Sequence, residues 1–419
     1  MNSPEIHISD SDSESAYKVK SFQAKYNCLI SECISNYNTS KENNSKLLKF
    51  GKMNDSKDSF NLMNSIETIC NKAGENYHSK NYYKRRIPKA PERILDAPEL
   101  EDDYYLNLLD WSQTNRLAVC LGHSLYVWNA YNGQINTVMT HSPNNPNNIL
   151  TSVSWSCFQN QIAIGTNDNM VQIWDVEKSI MTDVFQSHND RVSALSWNPF
   201  SRILTSGSRD SCINHYDSRI SKSLISSTKF HNQEVCNVKW SCDGRYLASG
   251  GNDNLLCLWE ITNINPKFVL RQHRAAVKGI AWCPFENNIL VSGAGTSDHT
   301  IKIWNANSGE LINSINTDSQ VCSLAWNSEY KELISAHGYS QNQIIIWKYP
   351  QMKKITELKG HKARVLHLCI SPDNNTIVSA AADETLRFWK LSNKKEVNIS
   401  KNKFNNENKL IYNRGINIR

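Results

Sequence analysis

The sequence predicts an all-β chain, a seven-bladed β-propeller with a disordered tail at each end. Three observations carry this. A unit of about 43 residues recurs seven times, every tryptophan lies on its grid, and polar, Asn-rich sequence flanks the repeats on both sides.

Taken in order, residues 1–85 read as a mostly disordered regulatory tail. It opens with MNSPEIHISDSDSES, polar and acidic, without the basic start and apolar stretch of a secretory signal. Between Ser15 and Ile34, Val19, Phe22, Tyr26, Leu29, Ile30 and Cys33 keep a helical period, which predicts a short amphipathic helix within 15–34.

Residues 86–391 hold the repeats. Each unit gives a strand ending in Trp, a turn, a strand of small residues, an Asp/Asn turn and a strand ending in an aromatic. The first position is Trp111, Trp155, Trp197, Trp240, Trp282 and Trp326, with Ile370 in the seventh unit. The closing position is Trp128, Trp174, Tyr216, Trp259, Trp304, Trp347 and Trp389, spaced 42 to 46 residues apart, and the two series contain all 12 tryptophans. Four short strands at this period are the signature of a WD-repeat propeller, whose blades bury their faces only when stacked in a ring. A ring must close, so a strand from Glu92–Leu100, ahead of the first blade, is expected to complete the seventh.

His188, His231, His273 and His361 recur before successive blades, and Asp168, Asp210, Asp253, Asp298 and Asp383 recur in turns. A His–Asp pair repeated blade after blade is a fold staple, whereas a catalytic set would occur once. The sequence carries no phosphate-binding glycine loop, metal-ligand set or activated nucleophile, so no enzyme, cofactor or metal is expected. The 12 cysteines are scattered, without zinc spacing, and read as small buried hydrophobes of a reducing compartment. No apolar run reaches the ~18 residues of a membrane helix.

Residues 392–419 form a flexible basic tail. From Lys390 onward eight Lys/Arg stand against two Asp/Glu, which accounts for the whole net charge of +6. The repeat region therefore has no basic excess of the kind nucleic-acid binding needs, and neither nucleic acid nor membrane is expected as a partner.

The loops depart from a generic repeat in RRIPKAPERILDAPELEDDYYLNLLDWS, SGGNDNLLCLW, QHRAAVKGIAWCPF, GAGTSDHTIKIWN, YKELISAHGYSQNQIIIWKYP, LKGHKARVLHL and SAAADETLRFW. Over about residues 85–390 these strings resemble the fizzy and fizzy-related family of anaphase-promoting complex coactivators, and PERILDAPELEDDYYLNLLDW looks closer to the mitotic cell-division-cycle branch. The resemblance implies a non-enzymatic substrate receptor of a ubiquitin ligase in the nucleus and cytoplasm. Its partners would be the ligase, degron-bearing substrates and spindle-checkpoint proteins.

It also implies sites. The residues matching the family's KEN-box site are Asp110, Asn252, Asn254, Thr296, Gln320 and Arg364. Arg364 suits the degron's Glu, the amides and hydroxyl suit its Asn and backbone, and Asp110 suits its Lys. Asp103 and Glu384 match the acids that read the destruction-box Arg between the first and last blades. The terminal Ile418 and Arg419, with the carboxylate, match the family's dock onto a helical-repeat scaffold subunit of the ligase.

The family's second ligase-binding motif, the C-box, has no counterpart. KRRIPKA, at Lys84–Ala90, looks similar but occupies the pre-propeller segment. Lys41-Glu42-Asn43 reads as a KEN box of the chain's own, and Lys46–Gly51 resembles a basic-apolar motif of the mitotic branch. Two alternatives stand beside the coactivator reading: an inhibitor or pseudosubstrate of the same family, and a generic propeller scaffold.

Overall fold

The structure, a computed structural model, describes residues 85–392 apart from 142–147, 159, 221–223, 261, 262 and 264. The helix expected within 15–34, Lys41–Asn43, Lys46–Gly51, Ile418 and Arg419 lie outside the described residues.

Seven four-stranded antiparallel sheets follow one another along the chain. Blade four shows the plan, with strands Val235–Trp240, Tyr246–Gly251, Leu256–Glu260 and Phe268–Leu270. The first two strands are covered on both faces and are therefore built mostly from apolar and small residues, with buried Asn237 donating to Lys278 O and Lys239 alone half-buried. Fourth strands sit at the rim and alternate instead: Leu224–Lys229 of blade three is exposed at every other residue or more.

The ring closes as the sequence requires. Arg93–Asp96 pairs antiparallel with Thr385–Lys390, in the register Arg93 opposite Phe388 and Asp96 opposite Thr385. It is the outer strand of blade seven. Leu95 packs against the core cluster that holds Trp128 and Phe388, so closure joins blades seven and one through apolar contact as well as ladder bonds.

The four recurrent His form staples with Asp210, Asp253, Asp298 and Asp383. In blade four, Trp259 Nε1 donates to Ser249 Oγ (2.8 Å), Ser249 meets His231 Nε2 (2.9 Å), and His231 Nδ1 meets Asp253 (3.0 Å). The same chain links Trp304, Ser292, His273 and Asp298 in blade five, and Trp389, Ser379, His361 and Asp383 in blade seven. In blade three, His188 joins Asp210 and Ser206, with Tyr216 in place of Trp. Each chain satisfies groups that would otherwise be buried without partners.

The His-bearing loops and the turns between second and third strands share one end of every blade, called the upper face here. The turns between first and second strands form the lower face. The described chain enters and leaves at the lower face. Arg85 pairs with Glu332 (2.6 Å) and lies over the Tyr330 ring, and Ile87 packs on the blade six–seven core. From Arg85 onward the KRRIPKA segment is thus docked on the propeller. At the other end, Leu391 N–H donates to Asn375 O in a lower turn of blade seven.

Candidate functional site: a strapped polar face

After Asp96 the chain does not enter blade one directly. Residues 97–108 cross the upper face as a strap, and side chains of the strap reach five other blades. Asp102 meets Arg364 of blade seven. Tyr104 OH lies 3.0 Å from Val321 O of blade six and 3.4 Å from Ala276 O at blade five. Tyr105 OH donates to Asn252 Oδ1 of blade four (3.0 Å), and Asp103 pairs with Arg191 of blade three (2.7 Å). Asn107 Nδ2 donates to Ser193 O and Cys236 O of blades three and four.

Tyr104 is buried although it sits in a connection, and Lys278 Nζ lies 5.4 Å from its ring. Burial holds the pKa of the Lys278 ammonium down to about 8. The strap therefore takes part in the core and holds the residues of the face in place.

Five of the six expected KEN-site residues share this face. Asn252 and Asn254 lie in the upper turn of blade four. Asn252 Nδ2 donates to Gln233 Oε1 (2.7 Å), and Asn254 takes a left-handed backbone, φ 65°, which Asn tolerates. Thr296 is exposed in the upper turn of blade five. Gln320 precedes the first strand of blade six and Arg364 that of blade seven. They are neighbours: a Cβ added to Gly338 would stand 2.9 Å from Gln320 Oε1 and 3.6 Å from Arg364 Cβ.

Asp110 does not join them, and its expected role is corrected. It precedes Trp111 in the first strand of blade one, opposite Ala118, about four residues or roughly 13 Å below the upper turn of that blade. Its carboxylate accepts from the N–H of Trp155 (2.7 Å) and of Trp111 (3.1 Å), sealing the joint between blades one and two. Burial raises its pKa, against the charge of Lys239 and those two bonds.

The expectation that Asp103 and Glu384 together flank one incoming guanidinium is also corrected. Asp103 already holds Arg191, which Glu234 clamps from its other side through Nε and Nη2, each at 2.9 Å. Burial opposes the Arg191 charge, and the two carboxylates more than offset it. Glu384 is exposed in the upper turn of blade seven, and its carbonyl accepts from Ala97 N–H (2.8 Å).

Beside Ala97, between blades seven and one, lies a cavity of about 330 Å³ lined by Leu95, Val119, Leu121, Tyr126, Ile135 and Leu386, with Asp96 and Glu99 also in its wall. This is an apolar slot with carboxylates next to it. Asp102, Tyr104, Tyr105, Arg191 and the acids Asp96 and Glu99 were not singled out from the sequence. The signal available was the polar-aromatic run EDDYYL, which belongs to no repeat position. Among the described residues no group of three or more His, Cys, Asp or Glu is placed to hold a metal.

The comparisons agree with this architecture. The family described as the CDC20/Fizzy WD40 domain matches residues 95–389. The Dictyostelium discoideum protein "Anaphase-promoting complex subunit cdc20" is 45% identical over 74% of this chain and 62% of its own length. The Medicago truncatula "B-type cell cycle switch protein ccs52B" is 49% identical over 73% of this chain and 62% of its own. The chain thus spans a little under two thirds of the length of these relatives, and both kinds of relative match it about equally well. A solved chain from "Crystal Structure of Mitotic Checkpoint Complex" superposes with a TM-score of 0.70 at 38% identity, covering 83% of this chain and 99% of that one. From the repeat grid, the closed seven-bladed ring and these matches, the chain belongs to the CDC20/Fizzy WD40 family.

Proposed function

We propose that this chain is a non-enzymatic coactivator of the anaphase-promoting complex, a receptor that recruits degron-bearing substrates to the ligase in cell-cycle control. The observation that carries the reading is the clustering of Asn252, Asn254, Thr296, Gln320 and Arg364 on one strapped face, contributed by four blades. An extended peptide needs fixed donors and acceptors on a surface that does not itself rearrange, and turns of a rigid ring supply them. Arg364 takes the Glu of a KEN box, and the amides and hydroxyl take its Asn and backbone.

The slot between blades seven and one takes a destruction box. Its apolar wall suits the Leu, and Asp96, Glu99 and Glu384 offer carboxylates to the Arg. Ile418 and Arg419 dock on a helical-repeat scaffold subunit. A spindle-checkpoint protein is a further partner, in keeping with the mitotic checkpoint complex that contains the structurally similar chain. The place of action is the nucleus and cytoplasm.

The test is binding of a labelled KEN peptide to the full chain and to Arg364→Ala and Asn252→Ala, paired with recovery of the ligase from dividing cells with and without Ile418 and Arg419. Loss of peptide affinity and loss of ligase support the reading. A full chain that binds neither overturns it. The chain's own Lys41-Glu42-Asn43 favours a second reading, an inhibitor or pseudosubstrate, which predicts ligase binding without stimulated ubiquitination.

A further inference from the structure

Arg364 does not present a bare guanidinium. Its Nε donates to Asp102 Oδ1 (2.5 Å) and its Nη2 to the Asp102 carbonyl (2.8 Å), so one residue of the strap occupies a whole edge of the planar group. The pair sits at the solvent boundary, with the Asp102 side chain 48% exposed and that of Arg364 20% exposed. Asp102 cannot drift away, because Leu100 and Tyr104, two residues to either side, are both buried. It is a tethered anion, present at high effective concentration against any anion from outside. Beside the pair, Gly338 lies close to the Arg364 stem and to the buried Gln320 side chain.

We infer that Asp102 is an internal competitor for Arg364 and sets how strongly this face selects an acidic side chain. The inference rests on the reading above, that Arg364 receives the Glu of a KEN box. An incoming carboxylate either displaces Asp102 or lies beside it. In both cases the negative charge of Asp102 weakens binding, and the penalty falls only on peptides that bring a carboxylate of their own. Replacement by Asn keeps the shape and keeps the main-chain carbonyl bonded to Nη2, while removing the charge.

The experiment measures the affinity of the full chain, of Asp102→Asn and of Arg364→Ala for two peptides that differ only in carrying Lys-Glu-Asn or Lys-Gln-Asn. Asp102→Asn is expected to bind the Glu peptide about two- to fivefold tighter, the size of one exposed charge–charge interaction, and the Gln peptide as before. Thermal melts show that the variants fold. If Arg364→Ala weakens the Glu peptide and Asp102→Asn gives no gain, or a loss, the competitor role is overturned and the reading of the face stands. If Arg364→Ala changes neither peptide, the reading of the face fails and the inference falls with it.

Discussion

Blade four and blade six have the same four-stranded plan and the same closing tryptophan, yet different things hold their upper ends. In blade four the chain Trp259–Ser249–His231–Asp253 ties the closing strand to the entering loop and the upper turn. In blade six Trp347 still donates to Ser335 Oγ (2.8 Å), but Ser335 meets His337 Nε2 (2.7 Å) from its own strand, and the entering loop supplies no His. His337 is buried, and the group that meets its ring from the entering loop is the main chain of Gln320 rather than a His or Asp side chain. Where the staple is complete, the loop His and the turn Asp are spent on the fold, and Asn252, Asn254 and Thr296 stand beside them in the same turns. Where it is broken, the loop is free to place Gln320, and the turn is free to place Gly338, beside Arg364. Part of the candidate site thus lies where the repeat gives up a staple.

Acid gives the largest contrast between the two arrangements. Burial holds the pKa of His337 down to about 3, with Lys354 adding to the effect. Burial holds His361 down to about 4 although Asp383 opposes it, and burial alone holds His215 to about 4. These groups stay neutral in the fold and charge in the unfolded chain below about 6.5, so the unfolded state takes up more protons. Stability is fully present above that pH and falls as pH drops from about 6.5 toward 4, by up to about 1.4 kcal/mol per pH unit for each such histidine. Asp253, Asp298 and Asp383 are pushed up by burial, but their hydrogen bonds hold them below the ordinary carboxylate value, so they extend the loss to lower pH. Urea midpoints across this range test the slope, and His337→Gln should flatten it without touching a complete staple. An unchanged slope in that variant would remove blade six from the account.

A smaller effect separates the two blades directly. His231→Ala strands the Asp253 carboxylate and Ser249 in the interior of blade four and should cost about 2–4 kcal/mol in urea unfolding. Gln320→Ala at blade six should cost less than about 1 kcal/mol while weakening the KEN peptide about fivefold, the worth of one hydrogen bond. Equal destabilisation by the two changes would show that blade six is held by its upper loop after all. The smallest effect belongs to Gly338→Ala. Its methyl would press on the far end of Gln320, so stability should move by less than about 0.5 kcal/mol and peptide affinity should drop about threefold, roughly half a hydrogen bond.

The same contrast explains what could be read from the sequence. Staples and closing aromatics recur at fixed intervals, so the seven blades, the His–Asp pairs and the need for a closing strand within Glu92–Leu100, found at Arg93–Asp96, were legible. Asp110 was misplaced because its residue type fits the chemistry, although its position beside Trp111 marks the lower end of the strand. Asp103 was misassigned for another reason. Its partner Arg191 lies 88 residues away, and that of Asp102 lies 262 away, and no local pattern announces such pairings. The strap is a single stretch used once, so the repeat gave no template for it.

Both ends of the described chain leave the ring by its lower rim, Arg85 beside Glu332 and Leu391 beside Asn375, while the strap and the polar cluster occupy the opposite rim. The described chain ends and the polar cluster lie on opposite rims of the ring. A surface-immobilised sensor or a fluorescent fusion joined at residue 85 or 392 would therefore start from the far side of the disc, about one strand length from the strapped polar cluster, and leave that cluster turned toward solution.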